Sequence, residues 1–227
     1  MDFTKFEITG TPFPVVECRL ERGEEMITEG GSMVWMSNDI EMHTTGTGGL
    51  GRLFSGENIF RNIYTAGSDD SYIAFGASFP GRIIPLDLRN GAWIFQKGSF
   101  LASESSVNLS TFFNKKLSTG LFGGEGFIMQ KLSGNGIAFV EIDGALVERQ
   151  LQRGEQIIVD TGNVAGFTEG VTMDIVAVKG LKNKLLGGEG LFNTVLTGPG
   201  TVWLQTMTIP NLAKSLIPYL PVSSGNN

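Results

Sequence analysis

Val16-Glu17-Cys18-Arg19-Leu20-Glu21-Arg22-Gly23 reads as a strand running into a tight turn, with apolar residues at every second place and a glycine closing the run. The same figure returns at Ile84-Pro85-Leu86-Asp87-Leu88-Arg89-Asn90-Gly91 and at Val147-Glu148-Arg149-Gln150-Leu151-Gln152-Arg153-Gly154. A repeat on this scale constrains the fold before any single element is assigned. After each glycine comes an apolar run, Met26-Ile27, Trp93-Ile94-Phe95 and Ile157-Ile158-Val159, then a second glycine at Gly31, Gly98 and Gly162. Ile40 and Met42, Val107 and Leu109, and Val171 and Met173 stand two apart, so each pair shares one face of a strand. Gly56-Glu57, Gly124-Glu125 and Gly188-Glu189 follow, then turns at Gly67, Gly134 and Gly198, then closing strands at 72–75, 137–140 and 201–204.

Glu57, Glu125 and Glu189 fall 68 and then 64 residues apart, and Gly23, Gly91 and Gly154 fall 68 and then 63 apart. The markers agree on one period. They divide the chain into repeats at 15–79, 82–144 and 146–209, followed by a helix and tail at 210–227. No long segment of 3.6-residue periodicity interrupts the short Val, Ile, Phe and Thr runs, so the fold class is all-β, each repeat a small antiparallel sandwich. A unit of about 65 residues buries too little surface to be stable alone. Three units sharing apolar faces solve this, which predicts a pseudo-threefold arrangement in one compact domain. Pro210 to Ile217 reads as a short helix with Asn211 as its cap, ended by Pro218. Leu216, Ile217, Tyr219 and Leu220 are apolar enough to require cover from the chain's own body or from a neighbouring subunit.

Composition removes several function classes. The 227 residues include 32 glycines, about twice the usual share, but a single cysteine and a single histidine. Disulfide frameworks and multi-cysteine or multi-histidine metal sites are therefore excluded. A net charge of −6 disfavours nucleic acid as a partner, because phosphate binding is driven by clustered Lys and Arg. The N-terminal residues lack the apolar stretch of a signal peptide, and no run reaches the roughly 18 apolar residues of a membrane span. The expectation is a soluble, cytoplasmic protein.

The Gly-Glu repeats, preceded by Leu-Phe or Leu-Leu, and the three-unit plan resemble a family named for altered inheritance of mitochondria, number twenty-four. The resemblance runs from about Phe6 to Leu220 and rests on glycine turns and apolar pairs rather than on a catalytic signature. It implies a fold like that of the tryptophan RNA-binding attenuation protein, with a double-stranded β-helix type of sandwich repeated three times. It carries over no catalytic residue. The family's mitochondrial members are linked to inner-membrane organisation.

Gly46-Thr47-Gly48-Gly49-Leu50-Gly51 matches a dinucleotide fingerprint but lies between strands, and neither other repeat has it, so it reads as a long turn. His43 falls on the strand face opposite Ile40 and Met42 and has no nucleophile motif beside it. Cys18 alternates with Val16 and Leu20 and reads as a core residue. Glu57, Glu125 and Glu189 support two readings: three carboxylates gathered to hold calcium or magnesium, or acceptors for turn amides within each repeat. Arg52, Leu53, Phe54, Leu121, Phe122, Lys184, Leu185 and Leu186 place apolar pairs and basic residues in equivalent glycine-rich loops. Brought to one end, they would make a basic-rimmed apolar patch for a membrane surface or a protein partner; turned inward, they would cap the sandwiches. No cofactor is expected. The reading is a non-enzymatic scaffold or binding protein, with homo-oligomerisation, a protein partner or peripheral membrane contact open to it. Single-stranded RNA binding by fold analogy, or a carboxylate enzyme site assembled only by folding, are the alternatives.

Overall fold

A computed structural model describes residues 5–45, 61–115, 126–177 and 192–220. After β1 (Phe6–Thr9), eighteen strands repeat one six-strand order three times. The first unit is β2 (Val15–Leu20), β3 (Glu25–Glu29), β4 (Met33–Met36), β5 (Ile40–Thr45), β6 (Arg61–Ala66) and β7 (Ser71–Gly76). The second is β8 (Gly81–Asp87), β9 (Trp93–Gln96), β10 (Phe100–Glu104), β11 (Val107–Lys115), β12 (Phe127–Gly134) and β13 (Ile137–Asp143). The third is β14 (Leu146–Leu151), β15 (Gln156–Asp160), β16 (Val164–Thr168), β17 (Thr172–Ala177), β18 (Phe192–Thr197) and β19 (Gly200–Gln205). An α-helix, α1 (Ile209–Leu216), follows. The all-β reading and the three repeated sheet units agree with this architecture.

Among the described residues four antiparallel sheets result: β1-β2-β7-β4, β5-β6-β3-β10-β13-β8, β11-β12-β9-β16-β19-β14 and β15-β18-β17. Each six-stranded sheet joins half of one unit to half of the next. The first joint pairs β3 with β10, Ser103 opposite Ile27 and Glu104 opposite Met26. The second pairs β9 with β16, Phe167 opposite Ile94 and Thr168 opposite Trp93.

Local chemistry explains these elements. Val16, Cys18 and Leu20 alternate into the core while Arg19 faces water, which sets the register of β2. Gly23, Gly91 and Gly154 turn with φ of +81°, +131° and +77°, conformations that side-chain-bearing residues rarely adopt. β4, β10 and β16 each bulge at their second residue, between Met33 and Trp35, Phe100 and Ala102, and Val164 and Gly166.

Three apolar clusters fill the spaces between successive sheets. Val16, Cys18, Phe75 and Phe139 belong to the first, Phe95, Leu132, Val140 and Trp203 to the second, and Ile94, Met129, Phe167 and Val202 to the third. The middle sheets are buried on both faces, so β13 is closed to solvent over six successive residues.

One expectation is corrected at the C-terminus. Thr208, not Asn211, caps α1: its hydroxyl accepts the Asn211 N–H at 3.3 Å. Asn211 therefore sits inside the first turn, because the backbone one residue before Ile209 is already extended as a cap requires. Leu216, Ile217, Tyr219 and Leu220 are each at least half exposed, which leaves a neighbouring subunit as the expected source of cover. No helix among the described residues is long and apolar enough to cross a membrane.

Candidate functional site

The repeated glutamates Glu57, Glu125 and Glu189 lie outside the described residues, as do Arg52, Leu53, Phe54, Leu121, Phe122, Lys184, Leu185 and Leu186 and the glycine-rich turn at 46–51. His43 is on the surface, with Glu41 as its neighbour at 3.6 Å. Met42 is half exposed despite sharing a face with buried Ile40, since β5 forms the rim of its sheet. Cys18 is fully buried, and burial pushes its thiol pKa well above the ordinary range, as befits a packing residue.

The structure instead brings two carboxylates together at a place the sequence did not flag. Glu141 and Asp143 lie two apart on β13 and share the strand face of Ile137 and Phe139. They line a cleft of about 230 Å³ with Ser78 and Phe79 from the link between the first and second units, and Gln205 and Ile209 from the end of the third. All three units meet there. Glu141, only 9% exposed, accepts the Ser78 N–H at 2.6 Å, yet burial outweighs that bond and raises its pKa. Burial also pushes Asp143 up to about 6.

Amide side chains frame the cleft. Gln205 accepts the Asp143 N–H through Oε1 at 3.3 Å and donates from Nε2 to the Gly162 carbonyl at 3.0 Å. Gln96 donates to the Val164 carbonyl at 2.6 Å, beside the bulge of β16. A second cleft of about 350 Å³ shares Gln96, Gly98 and Ile209 with the first and adds Glu29, Lys97 and Ile128. Beneath it, Gln130 donates to Glu29 at 3.1 Å while its own Oε1 is buried without a hydrogen-bond partner.

Chemically, a carboxyl group that titrates near pH 6 can exchange protons under physiological conditions, and a paired one can hold an organic cation. Among the described residues, no three His, Cys, Asp or Glu side chains converge on one point, so a multi-carboxylate metal centre does not form there. Spacing alone did not mark this pair, because Glu141 and Asp143 stand at the polar end of strand 137–143 and what covers them comes from distant parts of the chain. The available signal was the unbroken apolar run Ile137-Ala138-Phe139-Val140, which marks a strand covered on both faces.

Comparison with known proteins sets this geometry among relatives. An uncharacterised protein of Streptococcus pyogenes serotype M6 is 31% identical over 226 residues, covering 93% of this chain and 89% of its own length. The X-ray structure of a Streptococcus pyogenes protein, determined by structural genomics, superposes with a TM-score of 0.78 at 26% identity, covering 95% of this chain and 99% of the other. The family described as Mitochondrial biogenesis AIM24 matches residues 6–207. Nearly the whole three-unit body lies within that match, and the chain belongs to the mitochondrial biogenesis AIM24 family.

Proposed function

We propose that the protein is a non-enzymatic scaffold or binding protein that acts through its surfaces. The observation that carries this reading is the C-terminal segment, where Leu216 at the end of α1 and Ile217, Tyr219 and Leu220 just after it are exposed apolar residues. Such a segment in water is a docking element in search of cover. Protein contact is the first version of this reading and membrane-surface contact the second. Cross-linking through Lys214 in host cells tests the first: linkage to another chain that disappears when Leu216, Ile217, Tyr219 and Leu220 become Ser supports it. Flotation with anionic liposomes tests the second, again against the four-Ser variant. A wild-type protein with neither cross-link nor liposome binding removes the reading.

The cleft favours a second reading, an enzyme or ligand-binding site whose carboxylates meet only in the fold. Its support is the burial of Glu141 and the raised pKa of Asp143 beside a cavity open to small molecules. A thermal-shift screen of small amines and sugars tests it. Hits that vanish in Glu141→Gln favour the site; a screen without hits sets it aside.

A further inference from the structure

The two joints follow one rule, and the rule leaves two strands over. In each joint the second strand of one unit pairs with the third strand of the next, β3 with β10 and β9 with β16. The remaining second strand is β15 and the remaining third strand is β4. Both are sheet edges: β4 ends the first sheet and β15 ends the last.

Their chemistry matches the strands that are already joined. β4 is Met33-Val34-Trp35-Met36, without the charge or proline that usually protects an open edge. Val34 is 53% exposed and Trp35 43%, while their counterparts at and after the bulge in the formed joints, Leu101 with Ala102 and Ala165 with Gly166, include no exposed residue. Ile158 on β15 is 67% exposed, whereas Ile94 at the same place in the second unit is fully buried.

We propose that β4 and β15 form an interface between copies of this chain, β15 of one copy pairing with β4 of the next as an antiparallel continuation of the sheet. The occupant follows from the interface already made twice: a third strand of this repeat pairs with a second strand in both formed joints, and β15 is a second strand whose edge away from β18 has no strand partner among the described residues. The register follows as well. The bulges align Met36 with Ser103 and Phe167. Pairing with β6, β12 and β18 aligns Ile158 with Ile27 and Ile94. Since Ser103 faces Ile27 and Phe167 faces Ile94, Met36 faces Ile158, and Trp35 faces Val159. The second contact keeps the complementarity of size seen where Gly166 faces Phe95, with the large residue moved to the other strand. This interface is separate from the C-terminal segment, so either can fail without the other.

Single-cysteine chains test the register. Met36→Cys and Ile158→Cys are made separately in a Cys18→Ala background, and each is checked for an unchanged fold by circular dichroism. Mixed in equal amounts and mildly oxidised, they are expected to give a disulfide-linked pair several-fold in excess of either alone. Ile157→Cys in place of Ile158→Cys moves the thiol off register and is expected to lose most of that excess. Light scattering of the unmodified protein is expected to show a dimer or larger assembly that Ile158→Lys reduces to monomer. A strictly monomeric wild type, or no excess in the mixture, overturns the proposal. So does a chain carrying both cysteines that closes its disulfide internally, since β4 and β15 would then pair within one molecule.

Discussion

Ile94 and Ile158 occupy the same place in successive repeats, yet one is fully buried and the other two-thirds exposed. The difference lies in what comes next along the chain. β9 has a following unit to supply β16, and the pair is covered on both sides; β15 belongs to the third unit, and among the described residues no strand pairs with its outer edge. The contrast teaches that the repeat encodes a strand fit for burial on both faces, while position in the array decides whether it is buried. Exposure at β4 and β15 thus follows from the pairing of each repeat with its neighbours, as expected where stability comes from contacts between adjacent units.

Substitution at the two isoleucines separates these environments most strongly. Ile94→Ala should cost about 2–5 kcal/mol by denaturant unfolding, because it removes fully buried atoms and leaves a cavity among Met129, Phe167 and Val202. Loss of less than about 1 kcal/mol would mean that the joint relaxes around the gap. Next in size is Gly166→Ala, whose new methyl would collide with the Phe95 ring across the second joint. A cost of about 1–3 kcal/mol is expected, with a lower thermal midpoint as the readout. Ala102, the counterpart in the first joint, already carries that methyl, so the reverse change Ala102→Gly tests whether the joints differ in tightness.

Asp143 sharpens the comparison through pH, since it sits on a strand that the joined sheets bury. Its pKa of about 6 lies above the ordinary 3.8, so the folded state favours the protonated form. Stability from this group is full below pH 4 and is lost as the pH rises through 6. Asp143→Asn is therefore expected to stabilise the protein at pH 7, on the order of 1 kcal/mol after solvent screening, and to flatten the stability profile between pH 4 and 6. An unchanged profile would show that water reaches the carboxylate. The smallest effect belongs to Ile158→Ala, within about 0.5 kcal/mol for an isolated chain. Its consequence should appear instead in the assembly state, where concentration-dependent stability would distinguish a paired edge from a free one.

Much of the fold was legible. Gly23, Gly91 and Gly154 announced turns because their backbone needs a glycine, and the period of their spacing exposed the three repeats. The candidate site was not legible for a physical reason: Glu141 and Asp143 are covered by Ser78 and Phe79 from the link between the first two units and by Gln205 and Ile209 beyond the third, residues about sixty positions away in the chain. The helix was recognised while its cap was misplaced by three residues, since Thr208 and Asn211 are both good capping types and the chain direction leaving β19 selects between them.

Periodicity by itself determined the all-β class, the tandem plan and the core role of Cys18, because alternation and glycine turns are local properties of the chain. Tertiary structure decided which strands of one unit continue the sheet of another, which carboxylates lose their water, and that β4 and β15 are left outside the two joints. Those outcomes depend on contacts between residues dozens of positions apart, and such contacts leave no mark on the spacing of any single segment.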